Sequence, residues 1–184
     1  MSDQIKKMPD SSFKPGHNTP PHLFLADWFY MLTGATYKQK PLIRSDNRKI
    51  EWINAFLSAT TKYRWEVIAW VVMDNHYHAV LKSPPDGASN LPKFVVSFHK
   101  YTARRWNDQE KQTGRMVWWN YWDTCIHSQR DYMNRLRYVF WNPVKHGLVD
   151  EPEKYPYSNY TDFLAQEWFD IGSTPIEVEN VPEF

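Results

Sequence analysis

At 184 residues, 42% of them apolar, the chain can form one domain with a real core, and no apolar run is long enough to span a bilayer. The opening MSDQIKKMPDSSFKPGHNTPP lacks the apolar segment of a signal peptide. The lone Cys125 excludes an internal disulfide, fits a reducing compartment and reads as a small buried hydrophobe. Sparse glycine leaves no GxGxxG or GxxxxGK[ST] phosphate loop.

The net charge of +1 divides into +7 for residues 1–154 and −6 for the remainder, where Asp162, Glu167, Asp170, Glu177, Glu179 and Glu183 stand without a Lys or Arg. A basic body with an acidic tail suits a polyanionic partner. An ordinary surface with a solvated tail fits the same numbers.

Residues 1–21 are rich in Pro, Ser, Lys and Asp and read as a flexible tail. LADWFYMLTGATY (25–37) reads as a strand. Ser45 and Asp46 then offer a cap for a helix whose Ile50, Ile53, Phe56 and Leu57 recur at helical spacing. RWEVIAWVVMD (64–74) is a strand, and NHYHAVLKS (75–83) is its hairpin or close partner. SPPDGASNLP (83–92) is a loop by composition. KFVVSFHKYTARRWNDQEK (93–111) is a helix with Phe94, Phe98 and Tyr101 on one side, and RMVWWNYWDTCIHS (115–128) is extended. QRDYMNRLRYVFW (129–141) is a helix expected to stop near Asn142, because Pro143 disfavours helical geometry in the residue before it. The segment from Asn142 to Tyr160 reads as loop with a turn at Gly147. This order predicts an α+β fold, an antiparallel sheet with helices packed mainly on one face. The expected division is a tail at 1–21, a globular unit at 22–165 and an acidic tail at 166–184.

Within VVMDNHYHAVLK (71–82), His76 and His78 stand two apart, so on a strand both face one way and Tyr77 faces the other. Two imidazoles able to reach one object point to a metal ion, with a third protein ligand needed and positions left for substrate. A surface or core histidine is the commoner fate of either residue. In RYVFWNPVKHG (137–147), Tyr138 and Asn142 are four apart and share a helix face. Asn142 offers a carbonyl oxygen to a hard cation. A tyrosine beside that ion is a candidate nucleophile, its ordinary pKa of ~10 notwithstanding, although a helical Tyr among Val139, Phe140 and Trp141 is more often core. Lys93, Ser97, Lys100 and Arg104 fall on one stripe of their helix, able to track phosphates or simply to be solvated.

MDNHYHAVLK, followed some sixty residues later by YVFWNPVKHGLV, resembles the single-tyrosine HUH transposases, specifically the REP-associated tyrosine transposase branch. PPHLFLADWFYMLTGATYKQKPLI and VWWNYWDTCI add to the likeness, which spans roughly residues 20–160. The resemblance implies an HUH, ferredoxin-like or RRM-like core. It implies His76, His78 and Asn142 as ligands of Mg²⁺ or Mn²⁺, and Tyr138 as nucleophile in a cleavage that leaves a 5′-phosphotyrosine and a free 3′-OH on single-stranded DNA beside a hairpin. With it go an expected bacterial cytoplasmic, nucleoid-associated location and a monomeric or homodimeric state. Lys93, Lys100, Arg104, Arg137 and Lys145 are the candidate DNA contacts. This chain departs from the family's pattern at Tyr77, at Asp74 where Pro is common, and at Trp118–Trp119 where many relatives have Trp-Gln. A metal-dependent nuclease using water, a hairpin-binding relative that does not cut, and a small-molecule metalloenzyme are the alternatives.

Overall fold

The computed structural model describes residues 25–166 and 172–182. The tail expected at 1–21, and Glu167, Asp170 and Glu183 of the acidic tail, lie outside the described residues. The elements in chain order are β1 (Phe29–Thr36), α1 (Asp46–Tyr63), β2 (Glu66–Val72), β3 (His76–Lys82), α2 (Leu91–Gln109), β4 (Trp118–Cys125), α3 (Gln129–Lys145) and a short α4 (Tyr160–Gln166). Single 3₁₀ turns occupy Tyr37–Gln39 and Pro152–Lys154.

The four strands form one antiparallel sheet in the order β2-β3-β1-β4. This is the β-α-β-β-α-β arrangement of ferredoxin-like folds: the antiparallel α+β order read from the elements, with the core that the resemblance implies. The hairpin β2–β3 is short, and its Asp74 accepts from Lys49 Nζ at 2.6 Å and Arg44 Nε at 3.0 Å. Burial alone would raise the Asp74 carboxyl; these two cations overcome it and hold the pKa below its ordinary value. The acid thereby ties α1 to the turn that launches the histidine strand.

Both faces of the sheet are covered. Tyr30, Leu32, Tyr77, Ala79 and Leu81 point to one side, where α1 and α2 supply Trp52, Phe56, Phe94, Phe98 and Trp106. Phe29, Met31, Ile68 and Val80 point to the other, against Tyr132, Leu136, Val139 and Phe140 of α3 and Phe163 of α4. The two longest helices thus share one face as expected, and α3 takes the face that carries the histidines.

One local expectation is corrected. The helix does not stop near Asn142 but runs through Pro143 to Lys145. The ring removes one backbone donor and crowds the preceding turn. That loss falls in the last turn, and burial of Tyr138, Val139, Asn142 and Pro143 against the sheet outweighs it. The end is closed by Gly147 at φ 66°, whose N–H donates to Val144 O, while Leu148 N–H donates to Pro143 O, both at 2.9 Å. At the start of α2, Leu91 and Pro92, expected in the loop, open the helix, where proline's missing donor costs nothing.

Candidate active site

The strand period places His76 and His78 on the α3 face, with His78 opposite Thr33 of β1 and Val71 of β2. Their ring centroids are 4.9 Å apart, and each residue is 1% exposed. Tyr77 points through the opposite face, where its hydroxyl meets His99 Nε2 at 2.9 Å. Its ring occupies the space beside Gly34, whose Cβ, if present, would lie 2.5 Å from Tyr77 Cζ. A large residue between the histidines is therefore accommodated by the absence of a side chain on the neighbouring strand.

Helix α3 brings up the remaining groups. Ser128 caps it by accepting from Asp131 N–H at 3.1 Å. Asp131 in turn accepts from buried Arg135 Nε at 2.7 Å. Asn142 Oδ1 then stands 3.2 Å from His76 Nε2, and the Tyr138 ring lies edge-on to His78 with centroids 5.0 Å apart. Lys145 Nζ is 5.3 Å from the centre of the Tyr138 ring. Pairing the two sequence motifs requires the helix to persist to Asn142, which it does with one turn to spare.

The hydrogen bonds fix which imidazole atoms are available. Asn75 Nδ2 donates to Gln39 O at 3.3 Å, leaving Asn75 Oδ1 to accept from His76 Nδ1 at 2.7 Å. His76 Nε2 lies on the other side of the ring, facing the carbonyl oxygen of Asn142. His78 Nδ1 is 2.8 Å from Thr33 Oγ1, and its Nε2 is buried without a partner among the described residues. Burial pushes the His78 pKa well down, with His76, His146 and Lys145 adding to the effect, so the ring is neutral near pH 7. Two imidazoles and one amide oxygen gathered here, with His78 Nε2 lacking a partner among the described residues, fit a divalent cation. The third donor being an asparagine, no group of three or more His, Cys, Asp or Glu side chains gathers in this way among the described residues.

The predicted basic residues divide by location. Lys93, Lys100 and Arg104 are exposed on α2, on the far side of the sheet from the histidines, with Arg104 Nε 3.8 Å from Asp108. Arg137 and Lys145 lie on α3 beside Tyr138. Both are engaged by the chain's own C-terminal segment: Arg137 Nε donates to Thr174 O at 2.6 Å, and Lys145 Nζ pairs with Glu177 at 2.9 Å. Trp141 Nε1 donates to Gly172 O at 3.0 Å, and Ile176, Val178 and Val181 pack on the α3-side core. The described part of the acidic segment thus runs along α3, and Tyr138 beneath it is 2% exposed.

Three participants escape the sequence reading. His146 has its ring 5.1 Å from His76; continuing the helical spacing from Asn142 would have found it. Asn75 is adjacent to His76 and needed only its hydrogen bond to be known. Thr33 carries no sequence signal, because strand pairing alone brings it to His78. Cys125 is buried as expected, and burial is the main cause pushing its thiol pKa up to about 12.

Residues 30–139 match the family model described as "Transposase IS200 like". A Haemophilus influenzae protein named as a candidate REP-associated tyrosine transposase is 26% identical over 146 residues, covering 72% of this chain and 83% of its own length. The REP-associated tyrosine transposase of Escherichia coli is 26% identical over 113 residues, covering 58% of this chain and 61% of the relative. In fold, the chain is similar to the solved structure of a REP-associated tyrosine transposase bound to a REP hairpin, with a TM-score of 0.71, 17% identity and coverage of 91% of this chain and 98% of that one. These relatives agree with the resemblance carried by MDNHYHAVLK and YVFWNPVKHGLV. With a family model spanning more than half its length and reaching through Tyr138, the chain belongs to the IS200-like transposases.

Proposed function

We propose that this protein is a single-stranded-DNA endonuclease and strand transferase, dependent on Mg²⁺ or Mn²⁺, that cuts beside hairpins through a 5′-phosphotyrosine at Tyr138. The observation that carries this reading is the convergence of His76, His78, Asn142 and Tyr138 in one buried cluster from two distant motifs. A cation held by His76, His78 and Asn142 would supply Lewis-acid polarisation of the scissile phosphate.

The chain's own residues do the rest. Tyr138 Oη attacks phosphorus; the Oη–P bond forms as the P–O3′ bond breaks. The phenolic proton leaves Tyr138, and the departing 3′-oxygen takes up a proton. Attack by another 3′-OH reverses the step, rejoins DNA and restores the phenol, so no nucleotide cofactor is required. Thr33 and Asn75 orient the imidazoles. Lys145 places a positive charge beside the attacking ring. Arg137 and Lys145, and on the far face Lys93, Lys100 and Arg104, are the residues assigned to phosphates. A DNA partner suits a nucleoid-associated location in a bacterial cytoplasm, and this reading accommodates a monomer or a homodimer. Among the described residues no helix is long and apolar enough to cross a membrane.

Incubation with hairpin-flanked single-stranded DNA and Mn²⁺ or Mg²⁺, followed by denaturing electrophoresis, tests the reading. A covalent adduct that Tyr138→Phe removes is the expected result. Cleavage without an adduct would show that water is the nucleophile.

A further inference from the structure

Most of the chain's aromatic rings fill the two core layers, but Trp119 is 48% exposed. Its ring meets Tyr37 with centroids 5.2 Å apart and planes at 40°. Tyr37 is half-buried and opens a tight turn in which Lys38 and Gln39 both adopt positive φ, 55° and 54°. Two successive non-glycine residues in that region are strained, and such strain persists only where surrounding bonds enforce it. Here Tyr37 N–H donates to Val117 O at 2.8 Å, Thr36 Oγ1 donates to Lys40 O, and Asn75 Nδ2 donates to Gln39 O. The result is a rigid exposed aromatic pair with Lys38, Gln39 and Lys40 exposed around it, and Lys38 Nζ 5.4 Å from the Tyr37 ring centre.

The position of this pair gives it meaning. Asn75, which holds the turn through Gln39, also accepts from His76 Nδ1. Ala35, two residues before Tyr37, is the register partner of His76. The platform is thus built onto the edge of the candidate active site, through the same side chain that orients one of its imidazoles.

We propose that Tyr37 and Trp119 form a stacking platform for an unpaired nucleobase of the DNA strand entering the site, with Lys38 and Lys40 meeting the flanking phosphates. This rests on the reading of the site as one for single-stranded DNA. An aromatic face accepts any base, and lysines beside it complement the backbone charge. The platform explains why an apolar ring is left open to water next to a polar site, and it selects for single-stranded DNA flanking the hairpin rather than for the duplex stem.

Fluorescence anisotropy with the full chain in EDTA, so that binding is read without cleavage, tests this. The probes are a DNA hairpin with a short unpaired flank, the same hairpin without the flank, and the flanked hairpin with abasic sites replacing the flank bases. Trp119→Ala should weaken binding to the flanked hairpin by about 5- to 150-fold, the range of one base–aromatic stack, and leave binding to the flankless hairpin unchanged. Trp119→Phe should retain most of the affinity. Abasic sites should weaken wild-type binding by a similar factor and Trp119→Ala binding hardly at all. The platform is refuted if Trp119→Ala matches wild type on the flanked probe, loses equally on both hairpins, or remains sensitive to abasic sites. Wild-type protein that binds none of the probes refutes the DNA reading of the site itself, a separate failure.

Discussion

The Nε2 of His76 faces Oδ1 of Asn142 at 3.2 Å, joining the histidine strand to the helix that carries Tyr138. Both atoms can donate a lone pair to a cation seated between them. Mn²⁺ should therefore raise the melting temperature, by ~2.7 kcal/mol of stability at a hundredfold excess over Kd. Asn142→Ala should remove most of this gain. Asn75→Ala, which frees the His76 ring and releases the turn at Gln39, should weaken metal affinity about 10- to 100-fold. Equal Mn²⁺ stabilisation of all three proteins would show that the ion binds elsewhere.

Tyr138→Phe removes one oxygen and leaves the edge-on contact with His78. Adduct and cleavage should fall below detection, with DNA affinity and Mn²⁺ stabilisation nearly unchanged. Cleavage at the wild-type rate would pass the nucleophile's role to water or to another tyrosine, such as Tyr132.

His99 is buried, stacked on Trp118 with centroids 4.3 Å apart, and burial lowers its pKa from 6.5 to about 3. Between those values the unfolded chain binds a proton that the folded chain refuses. Stability should then fall as pH falls, by ~1.4 kcal/mol per unit from this group, with His78 shifting in the same direction. Urea unfolding from about pH 7 to about pH 4 reads this slope, and His99→Gln should flatten it by nearly one proton.

Gly34→Ala puts a methyl group where the buried Tyr77 ring lies. The ring cannot retreat without losing its bond to His99 and its contacts with Trp52 and Phe98. The variant should lose about 1–3 kcal/mol in chemical denaturation. Adding Tyr77→Phe should not restore it, because the ring carbons clash as closely as the hydroxyl. Full recovery in the double variant would place the conflict at the hydroxyl alone.

Glu177 holds Lys145 and Thr174 holds Arg137, so the acidic segment occupies the cations beside Tyr138. Glu177→Gln, or a chain ended after Ile171, should bind DNA more tightly at low salt. The dependence of log affinity on log salt should steepen by about one unit for each cation freed. Unchanged slopes would leave the segment as core cover through Ile176, Val178 and Val181.

The sequence by itself determined the order of elements, because hydrophobic periodicity and caps are local. It also determined the shared face of His76 and His78, since side-chain alternation is a property of any strand, and the i, i+4 pairing of Tyr138 with Asn142. Only the tertiary structure decided that the helix survives Pro143. Local geometry argues for a stop there, and burial against the sheet overrides it. Strand pairing brought Thr33 to His78 and Gly34 beneath Tyr77, relationships that depend on register between segments more than forty residues apart. The placement of Lys93, Lys100 and Arg104 away from the site, and of Arg137 and Lys145 under the acidic segment, followed from which sheet face each helix covers. Spacing along the chain carries no information about that choice, which is set by how the two apolar faces of the sheet are divided among the helices.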